Sequence, residues 1–307
     1  SSTTLEEGIN LYKPVMCYGL PSYNHLKNYS ELNKENKFTN YYNLHLIEEA
    51  LGRKFIINKG LERKLDINRL RKHAKILIEI GDSGLDPRKT CEDYYFYFIP
   101  TEKPLFEHYI YLPKFVDENY LFPEQSEKVS VFVDHYGCGS QTEEERQISI
   151  NSILYIFENL KKYRDEINIY FHSIKGIEVN PETITIPSDK TKYFKNIEYQ
   201  EITKFYRKCH FFFPTHRESQ GMLAQEIGAC GGLTIMQKWM YPIETHHQFE
   251  HILYDFKSFV NFRNVLDICK EKNFIQNNRN KVIKNCSISQ FNSIFNSKIE
   301  MILSKHF

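Results

Sequence analysis

The chain has 307 residues, 41 % hydrophobic and 26 % charged, which is enough for two domains with their own cores and excludes a wholly disordered polypeptide. Forty basic against 39 acidic residues, with histidine neutral, leave a net charge of +1. That balance argues against a generally basic nucleic-acid binder and leaves room only for a local basic face. Seven cysteines, an odd number with no C-x-x-C pair, read as reduced thiols of a cytoplasmic protein. No stretch approaches the ~20 apolar residues of a membrane-spanning helix, and residues 1–10 carry no apolar signal-peptide core.

Short apolar runs alternate with helical patterns along the chain. Val15–Leu20, Phe55–Asn58, Ile76–Ile80 and Tyr94–Ile99 are strand-sized, rich in β-branched or aromatic residues, and end at Gly, Pro or Asn. Pro113, Pro123 and the polar run Glu124–Lys128 then interrupt the pattern and place a domain boundary near residue 126. In the second half, strands are predicted at Val129–Val133, Ile167–His172, Thr183–Pro187, His210–Pro214 and Gly232–Met236. Between them Gln147–Tyr163 reads as a helix with Ile150, Ile153, Leu154, Phe157 and Leu160 on one face. A last helical pattern covers Phe291–Phe307. Such alternation predicts an α/β chain with parallel sheets covered by helices, in two Rossmann-like halves.

The stretch from His210 to Gly232 carries the chemistry. Phe211–Phe213 is a buried strand, Pro214 opens a loop, and a helix is predicted from about Gly221 to Ala229. Gly221 lets a ligand approach the backbone, and the N–H groups of Gly221, Met222 and Leu223 form an anion site at the helix start. Glu218 precedes the helix and Glu226 lies one turn inside it. Two carboxylates flanking an anion site suit a ligand with hydroxyls at both ends and phosphate between them, the shape of a sugar nucleotide.

Glu218-x7-Glu226, with Gly221 three residues after the first Glu and Gly231 five after the second, resembles the signature of the group 1 glycosyltransferases. The strand before it and the small-residue run Ala229–Gly232 before the next strand match as well. Tyr111-Leu-Pro113 through Val116-Asp117 to Phe122-Pro123 is similar to the interdomain segment of that family. The resemblance implies a GT-B fold, two Rossmann-like domains with parallel sheets facing a central cleft, and a retaining, metal-independent glycosyltransferase without a cofactor. Residues 1–126 would bind a carbohydrate acceptor and residues 127–307 the nucleotide-diphosphate sugar (UDP or GDP), with the last helix packing back on the first domain. By position, Glu218 would hold donor-sugar hydroxyls, Glu226 the ribose hydroxyls, and the backbone of Gly221, Met222 and Leu223 the sugar and diphosphate.

The sequence departs from the family at one point. An Arg and a Lys usually clamp the diphosphate after the first strand of the second domain, but no Arg or Lys occurs from Val131 to Glu145. Replacements are sought in His135, the Gly137-Cys-Gly139 turn, Arg146, Lys175 and Arg217. Gly81-Asp82-Ser83-Gly84 follows the Ile76–Ile80 strand, which makes Asp82 a candidate for acceptor hydroxyls at the carboxyl end of a sheet. His247 and His251 are spaced as on one helix face, but Gln248 stands where a zinc-peptidase helix has its Glu, so they read as structural or surface histidines. Lys270–Lys284 reads as a solvated basic helix face. Two alternatives accompany the main reading: an enzyme of the same fold that glycosylates DNA bases, and a non-catalytic binder of sugar nucleotides or glycans.

Overall fold

The computed structural model describes residues 15–19, 76–80, 93–101, 106–135, 142–173, 191–195, 197, 199–218, 221–255, 261–269, 271 and 273–306. The strands expected at Phe55–Asn58 and Thr183–Pro187, and the candidates Asp82, Gly137, Gly139 and Lys175, lie outside these residues. The chain divides into two compact units, Ser1–Lys114 with Phe291–Phe307, and Phe115–Gln290.

The first unit holds a parallel sheet of β1 (Val15–Gly19), β2 (Ile76–Ile80), β3 (Tyr94–Tyr97) and β4 (Tyr109–Tyr111), in that order. Tyr95, Tyr97 and Tyr109 form one buried aromatic cluster. From the last helix, the Phe295 ring meets Phe96 edge-on at 5.7 Å, and His306 Nε2 lies 2.9 Å from the Tyr94 hydroxyl.

The second unit is a six-stranded parallel sheet made of β5 (Val129–His135), β6 (Ile167–Ser173), β7 (Thr191–Lys195), β8 (Phe211–Pro214), β9 (Leu233–Met236) and β10 (His251–Leu253). Their order across the sheet is β10-β9-β8-β5-β6-β7. The central strands are covered on both faces, which is why they read as unbroken apolar runs. Alternate residues go to opposite sides. Val131, Val133, Phe211 and Phe213 join Ile153, Ile156, Phe157 and Leu160 of α1 (Glu143–Leu160) and Phe262 and Val265 of α4 (Phe262–Ile268). Phe132 and Phe212 face Ile202 and Tyr206 of α2 (Tyr199–Tyr206), Ala224 and Ile227 of α3 (Leu223–Ala229) and Val282 of α5 (Phe274–Cys286). The last helix, α6, runs from Ile288 to His306.

Four sequence expectations need correction here. Helix α1 begins at Glu143, before Gln147, because Thr142 and Glu145 close a capping box: Glu145 N–H donates to Thr142 Oγ1 at 3.2 Å and Thr142 N–H to Glu145 Oε2 at 2.9 Å. Its buried face uses Ile156, while Leu154 is 38 % exposed. The segment Thr191–Gln200, where no strand or helix is predicted above, supplies strand β7 and the first residues of α2. His247 ends up in a short 3-10 turn (Ile243–Gln248) and His251 in β10, so the two never share a helix face. The basic face of α5 is not wholly solvated. Arg279 turns inward and donates to the carbonyls of Glu118, Leu121 and Ala229.

Within the second unit, Arg279 and Arg207 together fasten residues 115–124 to the helices behind them. Arg207 donates to the Tyr120 carbonyl at 2.7 and 3.1 Å, lies over the Tyr120 and Phe122 rings, and pairs with Glu124 at 3.4 Å. Among the described residues Cys209, Cys230, Cys269 and Cys286 are free thiols, and no helix is long and apolar enough to cross a membrane.

Candidate active site

Strand order fixes where a ligand meets the second sheet. From β5 the chain moves outward on one side through β6 and β7, then returns to place β8 on the other side of β5. At such a reversal the loops leave the carboxyl ends of the two neighbouring strands in opposite directions and open a crevice. The carboxyl ends of β5 and β8 meet with Asp134 beside Pro214, and Thr215 Oγ1 donates to the Asp134 carbonyl at 2.8 Å. Asp134, His135, His172, His216 and Glu218 all lie at these strand ends.

His216 and Glu218 are two residues apart on the loop that follows β8, and their side chains meet. His216 Nε2 lies 2.7 Å from Glu218 Oε1, and the Glu218 N–H donates to the Met240 carbonyl at 2.8 Å. The carboxylate folds over Gly221: a methyl group there would press on Glu218 Cδ and stand 2.7 Å from Oε2. Gly221 thus makes room for Glu218 itself. Burial opposes protonation of His216, but the hydrogen bond and charge of Glu218, aided by the charge of Asp134, carry its pKa above the ordinary imidazole value.

Glu226 is buried in α3, and its Oε1 accepts from the Tyr199 hydroxyl at 2.8 Å. Burial, then the Glu226 charge, pushes the Tyr199 phenol up, so it stays a donor. Helix α3 starts at Leu223, two residues later than expected, with Met222 at its cap. With its NH2 assigned by the donor–acceptor pattern, Gln225 donates to the Gly221 and Met222 carbonyls at 2.8 and 3.1 Å and holds the loop from beneath. At the other end of α3, Gly231 has φ +91°, the left-handed position that closes a helix. A side chain there would also meet Ile275.

His135 is fully buried, and burial, offset in part by Asp134, lowers its pKa to about 4. Its imidazole is therefore neutral near pH 7 and carries no positive charge toward a diphosphate. Arg217 is exposed beside Glu218, while Arg146 pairs with Glu143 at 3.4 Å on the first turn of α1. The structure thus brings Glu218, Gly221, Met222, Leu223 and Glu226 onto one loop and helix start, with Arg217 at its edge.

Three features escaped sequence reasoning. His216 sat inside the motif without a role, although its place two residues from Glu218 was a usable signal. Tyr199 is 27 residues from Glu226 and carried none. The Asp134–His172 pair, 2.7 Å apart and buried, follows from strand register, which places these two residues side by side. Among the described residues no three His, Cys, Asp or Glu side chains gather as a metal site.

No family model and no curated protein matches the sequence. Solved structures do. A glycosyltransferase from Rickettsia africae is 12 % identical with a TM-score of 0.60, the match covering 96 % of this chain and 99 % of that one. HepE from Anabaena, solved with UDP and glucose, is 8 % identical with a TM-score of 0.53, covering 94 % and 99 %. Sucrose-phosphate synthase from Thermosynechococcus elongatus is 11 % identical with a TM-score of 0.50, covering 95 % and 74 %. At these identities the likeness is one of fold. The chain has the α/β fold of the GT-B glycosyltransferases, with two Rossmann-like units built on parallel sheets.

Proposed function

We propose that the protein is a metal-independent glycosyltransferase that moves a sugar from a nucleotide-diphosphate sugar to a carbohydrate acceptor with retention of configuration. The observation that carries this reading is the placement of Glu218 at the switch point of the second sheet, held by His216 and folded over Gly221, with Glu226 on the helix that follows. In this reading Glu218 accepts hydrogen bonds from the donor sugar and Glu226 from the ribose, since carboxylates grip paired hydroxyls well. The leaving diphosphate draws its compensation from protein groups, with Arg217 the nearest exposed cation to Glu218 in sequence. The sugar passes through an oxocarbenium-like transition state, and the acceptor attacks from the side the diphosphate leaves. Residues 1–126 supply the acceptor site. UDP-glucose is the first donor to try, because HepE holds UDP and glucose on the same fold.

A melting panel of UDP, GDP, ADP, CMP and dTDP and their sugars, with and without EDTA, tests the donor site. A ligand at ~100 times its Kd adds about 2.7 kcal/mol. One base is expected to stabilise the protein regardless of EDTA, and loss of that shift on chelation would overturn metal independence. Glu218→Gln is expected to lower turnover by ~100-fold or more with nucleotide affinity nearly unchanged. A second reading, a non-catalytic sugar-nucleotide binder, is favoured by one observation: the end of β5 offers no basic side chain and His135 is neutral there. Stabilisation by a nucleotide sugar with neither transfer nor donor hydrolysis selects it.

A further inference from the structure

The chain contains a single tryptophan, and its setting is unusual for so large an apolar side chain. Trp239 is 39 % exposed, yet its Nε1–H donates at 2.7 Å to Oε1 of Gln237, a residue buried at the end of β9. Gln237 Nε2 in turn donates to Ser152 Oγ of α1 at 3.5 Å. The indole is thus fixed at its polar edge while part of its surface stays in water.

The backbone fixes the position further. Met240 N–H donates to the Gln237 carbonyl at 3.0 Å, which closes a tight turn with Lys238 and Trp239 at its two corners. The carbonyl of Met240, the last residue of this turn, receives the N–H of Glu218 at 2.8 Å. The turn that presents Trp239 and the loop that presents Glu218 are therefore one hydrogen-bonded body at the carboxyl ends of neighbouring strands β8 and β9. A fixed aromatic surface on a turn bonded to the backbone of the loop that carries Glu218 complements one class of molecule well. A pyranose ring has an apolar C–H face that stacks on an aromatic ring and a rim of hydroxyls that a carboxylate accepts.

We propose that Trp239 is the stacking platform for the donor's sugar ring, positioned by Gln237 and by the Glu218–Met240 backbone bond. The proposal rests on the donor-site reading above and adds the residue that separates a sugar nucleotide from the bare nucleotide. A nucleobase is not its ligand, because the polar group tied to this turn is Glu218, whereas Glu226 is tied to Tyr199 on α2.

The lone tryptophan makes the test direct. The melting panel first identifies the nucleotide that binds; its diphosphate and its sugar form are then titrated while tryptophan emission is followed. The sugar form is expected to shift or quench the emission, and the diphosphate alone to leave it nearly unchanged. Trp239→Ala is expected to weaken the sugar form by about five- to tenfold, the size of one aromatic stacking interaction, and to leave the diphosphate within about twofold. Trp239→Phe should recover most of the loss. An equal emission change with the bare diphosphate, or an unaltered preference for the sugar form in Trp239→Ala, would overturn the platform while the donor site stands. Absence of any nucleotide-induced shift in the melting panel overturns both. The wild-type titration decides the matter even if the alanine variant does not fold.

Discussion

Two imidazole–carboxylate pairs of the same length stand at the carboxyl ends of the second sheet, and they are built for different ends. Asp134 and His172 are 2.7 Å apart with side chains 4 % and 7 % exposed. His216 and Glu218 are also 2.7 Å apart, but the exposures are 3 % and 24 %. The first pair joins neighbours on adjacent strands and is sealed. Each side chain gives the other its hydrogen-bond partner, and with water excluded neither can lose that partner cheaply. The second pair buries the base and leaves the acid in reach of solvent, on a loop instead of a strand. A carboxylate held in place on one side and reachable on the other is what a hydroxyl-binding site needs.

Stability measurements on single variants should rank the two pairs. Asp134→Ala breaks the sealed pair and leaves a buried His172 nitrogen without its partner, so a loss of about 1–3 kcal/mol is expected in denaturant unfolding. A loss under about 1 kcal/mol would show that water reaches the pair. His135, next to Asp134, gives a pH test of the same buried ground. Its folded pKa of about 4 lies below the unfolded value near 6.5, so below pH 6.5 the unfolded chain binds the extra proton and stability falls with pH. The loss reaches roughly 3 kcal/mol by pH 4 and is absent above pH 7. His135→Gln should flatten this acid limb; an unchanged slope would assign it to the carboxylates alone. His216, whose pKa is raised, contributes with the opposite sign: its share is full below the unfolded pKa and fades as pH rises through the folded one. Glu218→Gln keeps size and hydrogen-bonding capacity on the open pair, so it should cost less than about 1 kcal/mol of stability, against the large fall in turnover.

The contrast also marks what could be read from the chain alone. Val131–Val133 and Phe211–Phe213 announce central strands because nothing polar interrupts them, and the loop and helix start that carry Glu218, Gly221 and Glu226 are legible because Pro214, Gly221 and Gly231 punctuate the backbone locally. Gly231 is legible for a physical reason: its φ of +91° suits glycine. The edge strand β7, Thr191–Lys195, flanks its two aromatics with lysines and so looks like a loop. Arg279 looked like a solvated helix charge because its partners are carbonyls far away in sequence, and no residue type advertises an available carbonyl. The Asp134–His172 and Tyr199–Glu226 bonds depend on register and on helix placement, which appear only when the sheet is assembled.

The smallest stability effect should come with one of the larger functional ones. At Gly221 the three atoms nearest an added methyl are Cδ, Cγ and Oε2 of Glu218. Those atoms are the far end of a flexible side chain and can swing away, so Gly221→Ala should cost only a few tenths of a kcal/mol in unfolding. Swinging away, however, takes the carboxylate off His216 and out of the position from which, in the proposed function, it grips the donor. Turnover should therefore fall about as far as in Glu218→Gln, and adding that substitution to Gly221→Ala should cost little more, since both remove one interaction. If the double variant instead loses the product of the two single effects, Gly221 serves the ligand directly through its backbone and the carboxylate's resting place is incidental.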